Sequence, residues 1–235
     1  EPRADLFTSI LDCMQALGLK GRLLDVGCGG GHFLGAAVQR GWRGLGTDLS
    51  HHACTIARRT GAQVAHADGA ALPFRNEGVD AVSLINVLDH TPNPLAILRE
   101  AHRVLSPGGY LVLRIPNAAF HRPCVRLLAS LGPLARLRGW DGYPILHLFA
   151  FTPLGLQSMV NRAGFRVLEI RNSFPAAEGR CAAQKQRRAV GLQWARRGIV
   201  AAAASVKFLS REKWLVGPSI ELYGQRLSSS STGET

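Results

Sequence analysis

The apolar positions of this chain switch between two spacings. Leu6, Ile10, Leu11, Met14 and Leu17 recur at helical intervals ahead of Gly18 and Gly21, which predicts a helix over residues 5–19. The spacing then shortens. Leu23-Leu24-Asp25-Val26 reads as a strand that runs into Gly27-Cys28-Gly29-Gly30-Gly31, with a helix over residues 32–39 closed by Gly41. A second strand is expected over residues 43–48, a helix capped by Ser50 over residues 50–59, and a third strand over residues 63–68. Residues 79–85 form the clearest strand by composition. A helix follows over residues 94–105, stopped by Pro107-Gly108-Gly109, and then a fifth strand over residues 110–115.

Strands alternating with helices build βαβ units and a parallel sheet covered on both faces. Ligands of such sheets bind outside the carboxyl ends of the strands, near the switch in strand order. After Asn117 the rhythm breaks. Residues 118–150, with Pro123, Pro133 and Pro144, are expected to form an irregular cap over the site. Thr152-Pro153 opens a helix that Gly164 closes, and residues 166–170 and 219–223 supply a sixth and a seventh strand. The chain thus reads as a single domain over residues 1–235. It has an N-terminal helix over 1–20, a cap over 118–150, a basic helical insert over 175–217 and a disordered tail over 228–235.

Composition narrows the picture modestly. Hydrophobic residues make up 46% of the 235 positions and charged ones 19%, a globular balance that excludes a wholly disordered chain. The longest apolar run, residues 198–206, is shorter than the ~18 residues a membrane span needs. The start shows no signal-peptide pattern and no Met, so a cytoplasmic protein with a missing upstream piece is expected. Lys and Arg number 28 against 16 Asp and Glu, a net charge of +12 that suits an anionic partner or reflects an Arg-rich composition. In the basic insert, Arg187, Arg188, Arg196 and Arg197 interleave with Trp194 and Trp214. Peripheral contact with an anionic membrane is therefore weighed there against a solvated helix pair. Cys13, Cys28, Cys54, Cys124 and Cys181 form no CxxC pair, which argues against a disulfide framework or a zinc site and for small buried residues.

The glycine-rich turn after the first strand offers backbone N–H groups and a helix N-terminus to a ligand. Its order is G-x-G-x-G, with His32 where a dinucleotide fingerprint has its third glycine, and no Walker lysine follows. Asp25 beside the loop repels a pyrophosphate but suits a ligand carrying an ammonium and a sulfonium. Asp48 ends the second strand, where a carboxylate can accept ribose hydroxyls, and Asp68-Gly69 ends the third, where a carboxylate can accept from an adenine amino group. The stretch 23–34, Asp48, Asp68-Gly69, Leu72-Pro73-Phe74, Asp89-His90, Glu100, Arg103 to Gly109 and Ile115-Pro116-Asn117 resembles the class I S-adenosylmethionine-dependent methyltransferases, in their small-molecule branch. That branch more often has Glu-His where this chain has Asp89-His90.

The resemblance implies a Rossmann-like, seven-stranded, mostly parallel sheet with helices on both faces and an antiparallel last strand. It implies S-adenosyl-L-methionine as cofactor. Asp25, Gly27, Gly29 and Gly31 would shape the methionine pocket, Asp48 would take the ribose, and Leu49, Asp68 and Gly69 would border the adenine. The Asn86 carbonyl would meet the methionine amino group. His90, after the fourth strand, and His147, at the end of the cap, are the candidate bases. No metal site is expected. The function expected is methyl transfer to a small-molecule acceptor, to an oxygen of a secondary-metabolite, quinone-like, sugar or lipid-linked compound. RNA or protein methylation and a non-catalytic cofactor-binding subunit stand as alternatives. No nucleic-acid partner is expected, since no RNA-binding module is visible.

Overall fold

The computed structural model describes residues 4–130, 148–173, 215 and 217–227, with side chains omitted at 124 and 127–130. The expected insert (175–217, apart from 215 and 217), the tail and His147 therefore lie outside the described residues. The first helix, α1 (Ala4–Ala16), buries Leu6, Phe7, Ile10, Leu11 and Met14 on one face. It ends earlier than the periodicity predicts, because Gly18 adopts a left-handed turn at φ 74. Leu19 N–H then bonds back to the Met14 carbonyl at 3.0 Å. β1 (Arg22–Val26), α2 (His32–Gln39) and β2 (Arg43–Asp48) follow where expected. Ser50 caps α3 (His51–Ala57) by accepting from Ala53 N–H at 3.2 Å, and a single 3₁₀ turn over Arg58–Thr60 replaces the helix's expected last residues.

β3 (Gln63–His66) is shorter than predicted, and β4 (Val79–Ile85) matches. Asn93 caps α4 (Pro94–Val104), whose buried stripe includes Ile97, Leu98 and Ala101. Pro107-Gly108-Gly109 does not stop this helix. The chain turns extended at Leu105 and enters β5 (Leu105–Pro116) at once, since Leu105 pairs with Val79 and the ladder resumes past a bulge at Ala81 and Tyr110. The residues after Asn117 also differ from expectation. Residues 118–130 are not irregular: they form α5 (Ala118–Ser130), which carries Pro123 within it. Buried Asn117 starts that helix by accepting from Ala119 N–H at 3.0 Å, while its amide donates to the carbonyls of Leu215 and Gly217. Thr152 caps α6 (Pro153–Arg162) as predicted, and Gly164 turns at φ 93. β6 (Phe165–Asn172) and β7 (Ser219–Arg226) both run longer than their sequence patterns.

The seven strands lie in the order β3-β2-β1-β4-β5-β7-β6. Pairs from β3 through β5 are parallel, and β7 runs antiparallel to both β5 and β6. This is the Rossmann-like sheet with an antiparallel last strand that the sequence led us to expect. The main apolar layer joins α4 and α6 to β1, β4, β5 and β7, and a second layer sets α1 and α2 against the other face. Strand order departs in opposite directions from β1 and β4, so the crevice for a ligand opens at their carboxyl ends.

Candidate functional site

The loop after β1 is tied to β2 by backbone. Gly27 and Cys28 donate to the Thr47 carbonyl at 2.7 and 2.9 Å. Gly27, Gly29 and Gly31 all take positive φ, at 72, 53 and 77. The reasons for glycine differ. A Cβ on Gly31 would lie 2.8 Å from the Ala57 Cα, and one on Gly27 would lie 2.6 Å from the Val87 methyl. A Cβ on Gly29 would meet nothing within 4 Å, so the loop presents an open face there.

Asp48 has a structural role that its sequence position did not reveal. One carboxylate oxygen accepts from Gly29 N–H at 2.8 Å and the other from Ser50 N–H at 2.8 Å, so Asp48 holds the loop in place. A carboxylate has about four acceptor positions, which leaves capacity for hydroxyl donors. Asp25 is buried and accepts from the Ser83 hydroxyl at 2.7 Å. Burial raises its pKa to about 7; the Ser83 bond pulls it down and the nearby Asp48 charge pushes it further up. No cation among the described residues offsets that cost. Cys28 packs under the loop, and burial pushes its thiol up to about 12, in keeping with a small spacer rather than a nucleophile.

Asp68 lies two residues beyond the end of β3, exposed, and accepts from Ala70 N–H at 2.9 Å in a tight turn. Gly69 packs closely: its missing Cβ would lie 2.9 Å from Val26, which sets this turn beside the end of β1. Leu49 is 69% exposed next to Asp48, an apolar side chain turned to solvent. Asn86, at the end of β4, takes a left-handed conformation at φ 57. The β4 end, the glycine loop, Asp48 and the Asp68-Gly69 turn therefore share one edge of the sheet.

His90 follows in a turn closed by its own N–H on the Val87 carbonyl at 3.0 Å. Its side chain is half exposed, and Nε2 stands 3.4 Å from the carboxylate of fully buried Asp89. The shorter carboxylate of this chain does reach the ring. The Asp89 carbonyl accepts from Leu148 and Phe149 N–H, so the end of the expected cap is joined to the His90 turn. Glu100 and Arg103 serve the loop after β3. Glu100 accepts from Leu72 N–H, and Arg103 donates to the carbonyls of Leu72 and Phe74. The hydrogen bond from Arg103 holds the Glu100 carboxyl below its ordinary range.

The sequence reading missed Ser83, Arg114, Ser173 and Glu221. Arg114 in Tyr110-Leu111-Val112-Leu113-Arg114-Ile115 and Glu221 in Ser219-Ile220-Glu221-Leu222-Tyr223 were the available signals, since each interrupts an apolar strand with a charge.

The site's features fit S-adenosylmethionine better than a phosphate-rich ligand. The loop offers an open face, Asp25 is an uncompensated buried carboxylate, and Leu49 is an exposed apolar shelf beside Asp48. A ligand with an ammonium and a sulfonium offsets the acidic charge, whereas a pyrophosphate adds to it. A family model described as "Methyltransferase domain" matches residues 3–170, and the chain belongs to that family. Its fold is that of the class I S-adenosylmethionine-dependent methyltransferases.

Among curated proteins, the chain is 33% identical over 126 residues to a ubiquinone biosynthesis O-methyltransferase of Pseudomonas paraeruginosa, covering 50% of this chain and 53% of that one. The chain spans about half the length of these relatives. Among solved structures it resembles a Thermotoga maritima S-adenosylmethionine-dependent methyltransferase, described as a possible histamine N-methyltransferase. The TM-score is 0.58 at 20% identity, covering 94% of this chain and 88% of that one. It also resembles the magnesium protoporphyrin IX methyltransferase of Synechocystis with bound S-adenosylhomocysteine. There the TM-score is 0.63 at 15% identity, covering 96% and 84%. Family and fold together indicate S-adenosylmethionine as the cofactor.

Proposed function

We propose that the chain transfers a methyl group from S-adenosylmethionine to an oxygen of a small-molecule acceptor bound at the end of β4. The observation that carries this reading is the half-exposed His90 imidazole, set against the buried Asp89 carboxylate at the edge that also holds Asp25, Asp48 and the glycine loop. When bound, the cofactor supplies an electrophilic methyl group and leaves as a neutral thioether. Asp48, already fixed by Gly29 and Ser50, accepts the ribose hydroxyls. Asp25 balances the methionine end, and Gly29 leaves room for it. Leu49, Asp68 and Gly69 border the adenine. His90 takes the acceptor's proton as the oxygen attacks, with Asp89 orienting the ring. His147 is a second candidate base from the cap sequence.

Relatives named for ubiquinone biosynthesis O-methylation support a phenolic oxygen as the acceptor class. The test is methyl transfer from labelled cofactor to a panel of catechols and hydroquinones, with transfer RNA and a basic protein as competing acceptors. Product on the phenols alone, cut ~10²–10⁴-fold in turnover by His90→Ala with cofactor affinity unchanged, is the expected result. Label on the RNA or protein arm, or on none, overturns it.

A further inference from the structure

Two non-glycine residues among those described have left-handed backbones, Glu77 and Asn86, and only Asn86 stands at the ligand edge of the sheet. Such a conformation is unfavourable for a side-chain residue, least so for Asn, and persists where the surroundings impose it. One residue imposes it here from two directions. Asn86 N–H donates to the Arg114 carbonyl at 2.8 Å, and Arg114 Nη1 donates to Asn86 Oδ1 at 2.5 Å. Backbone and side chain of Asn86 are thus both fixed by Arg114, the β5 residue paired with Ile85.

Arg114 is itself held from behind. It is 4% exposed. Its Nε donates to Ser173 Oγ at 2.9 Å, and Ser173 Oγ donates to Glu221 at 2.8 Å. Glu221 is fully buried and faces Arg114 on one side and Arg171 on the other in the strand register. Its second oxygen accepts from Arg171 Nε and from the Tyr223 hydroxyl, at 2.8 and 2.9 Å. Buried ion networks of this kind are often no more stable than an apolar interior, so stability alone does not account for a guanidinium at position 114. Toward the ligand edge, that guanidinium donates to Asn86.

We propose that Arg114 is a positioning residue for the amino-acid end of the cofactor. It locks Asn86 in the left-handed conformation and so aims the Asn86 carbonyl. This rests on the proposed S-adenosylmethionine reading, with the Asn86 carbonyl meeting the methionine amino group as the family resemblance implies. Specificity within the cofactor follows: the lock acts on the amino-acid moiety and not on the adenosine.

The experiment is calorimetric titration of two ligands that share the adenosine thioether. S-adenosylhomocysteine has the amino-acid moiety and 5′-methylthioadenosine lacks it. Arg114→Lys keeps the charge opposite Glu221 but loses the fork that spans Ser173 and Asn86. It should weaken S-adenosylhomocysteine at least ~10-fold while 5′-methylthioadenosine stays within about twofold, the latter also reporting an intact fold. Asn86→Ala should produce the same selective loss, and the double variant little more than either single one. If Arg114→Lys does not fold, Arg114→Met with Glu221→Gln removes both charges together and carries the same expectation. Equal weakening of both ligands, no change in either, or additive losses in the double variant overturns the proposal. Wild-type protein that binds neither ligand overturns the cofactor reading itself, and this inference with it.

Discussion

Asp25→Asn should make the empty protein more stable and the working protein worse. The carboxyl is buried, and burial lifts its pKa from 3.8 in the free chain to about 7 in the fold. Each pH unit between those values is worth about 1.4 kcal/mol, so ionising Asp25 costs the empty fold about 4 kcal/mol. The sign follows from proton counting. Between the two pKa values the folded state holds a proton that the unfolded state has lost, so stability falls as pH rises. The favourable contribution is complete below pH 3.8, is lost progressively toward about pH 7, and is gone above it. The substituted amide keeps the shape and can still accept the Ser83 hydroxyl bond at that position, but it has no proton to lose.

Urea denaturation of both proteins without ligand, at pH 5 and pH 8, isolates the effect. The stability gap should move by about 3 kcal/mol in favour of the Asp25→Asn variant between those pH values. Calorimetry with S-adenosylmethionine at pH 8 should show the opposite preference, with the variant binding ~10–100-fold more weakly because the ligand's positive charge loses its partner. A gap that does not change with pH would refute the reasoning, because it would mean that the buried carboxyl titrates as if exposed.

Further outcomes follow from single contacts. Gly31→Ala drives a methyl into the Ala57 backbone and should cost more than ~3 kcal/mol in urea denaturation. Gly29→Ala meets no atom, should cost only the ~1–2 kcal/mol of its left-handed backbone, and should lose cofactor affinity at least tenfold. Equal destabilisation by the two would show that the open face at Gly29 is not open. Asp48→Ala should weaken cofactor binding by ~1–3 kcal/mol in calorimetry, and unchanged affinity would remove the ribose role. Thr47 is fully buried, and its hydroxyl meets no hydrogen-bond partner among the described residues. Thr47→Val should therefore stabilise the fold by ~1 kcal/mol, and a lower melting temperature would contradict this.

The sequence by itself determined what depends on neighbours along the chain. The strand and helix order followed from apolar spacing. The caps at Ser50 and Thr152 followed from side chains that reach the N–H three residues on. The glycine loop followed because tolerance of positive φ is built into glycine itself, whatever surrounds it. Where a local signal met a tertiary demand, the local signal lost. Pro107-Gly108-Gly109 reads as a helix stop, yet strand pairing with β4 captured Leu105 first. Pro123 reads as a break, yet Asn117 and the bond between His121 and the Pro218 carbonyl anchor a helix through it.

Only the tertiary structure decided the electrostatics. Asp25 and Ser83 are 58 residues apart, and Arg114 and Asn86 are 28 apart. Spacing carries no information about such pairs, because parallel strands set their register through helices of variable length. The chain could announce that a charge interrupts an apolar strand. Which group answers that charge, and how far burial moves a pKa, depends on the sheet order β1-β4-β5-β7, which brings distant residues into one dry layer.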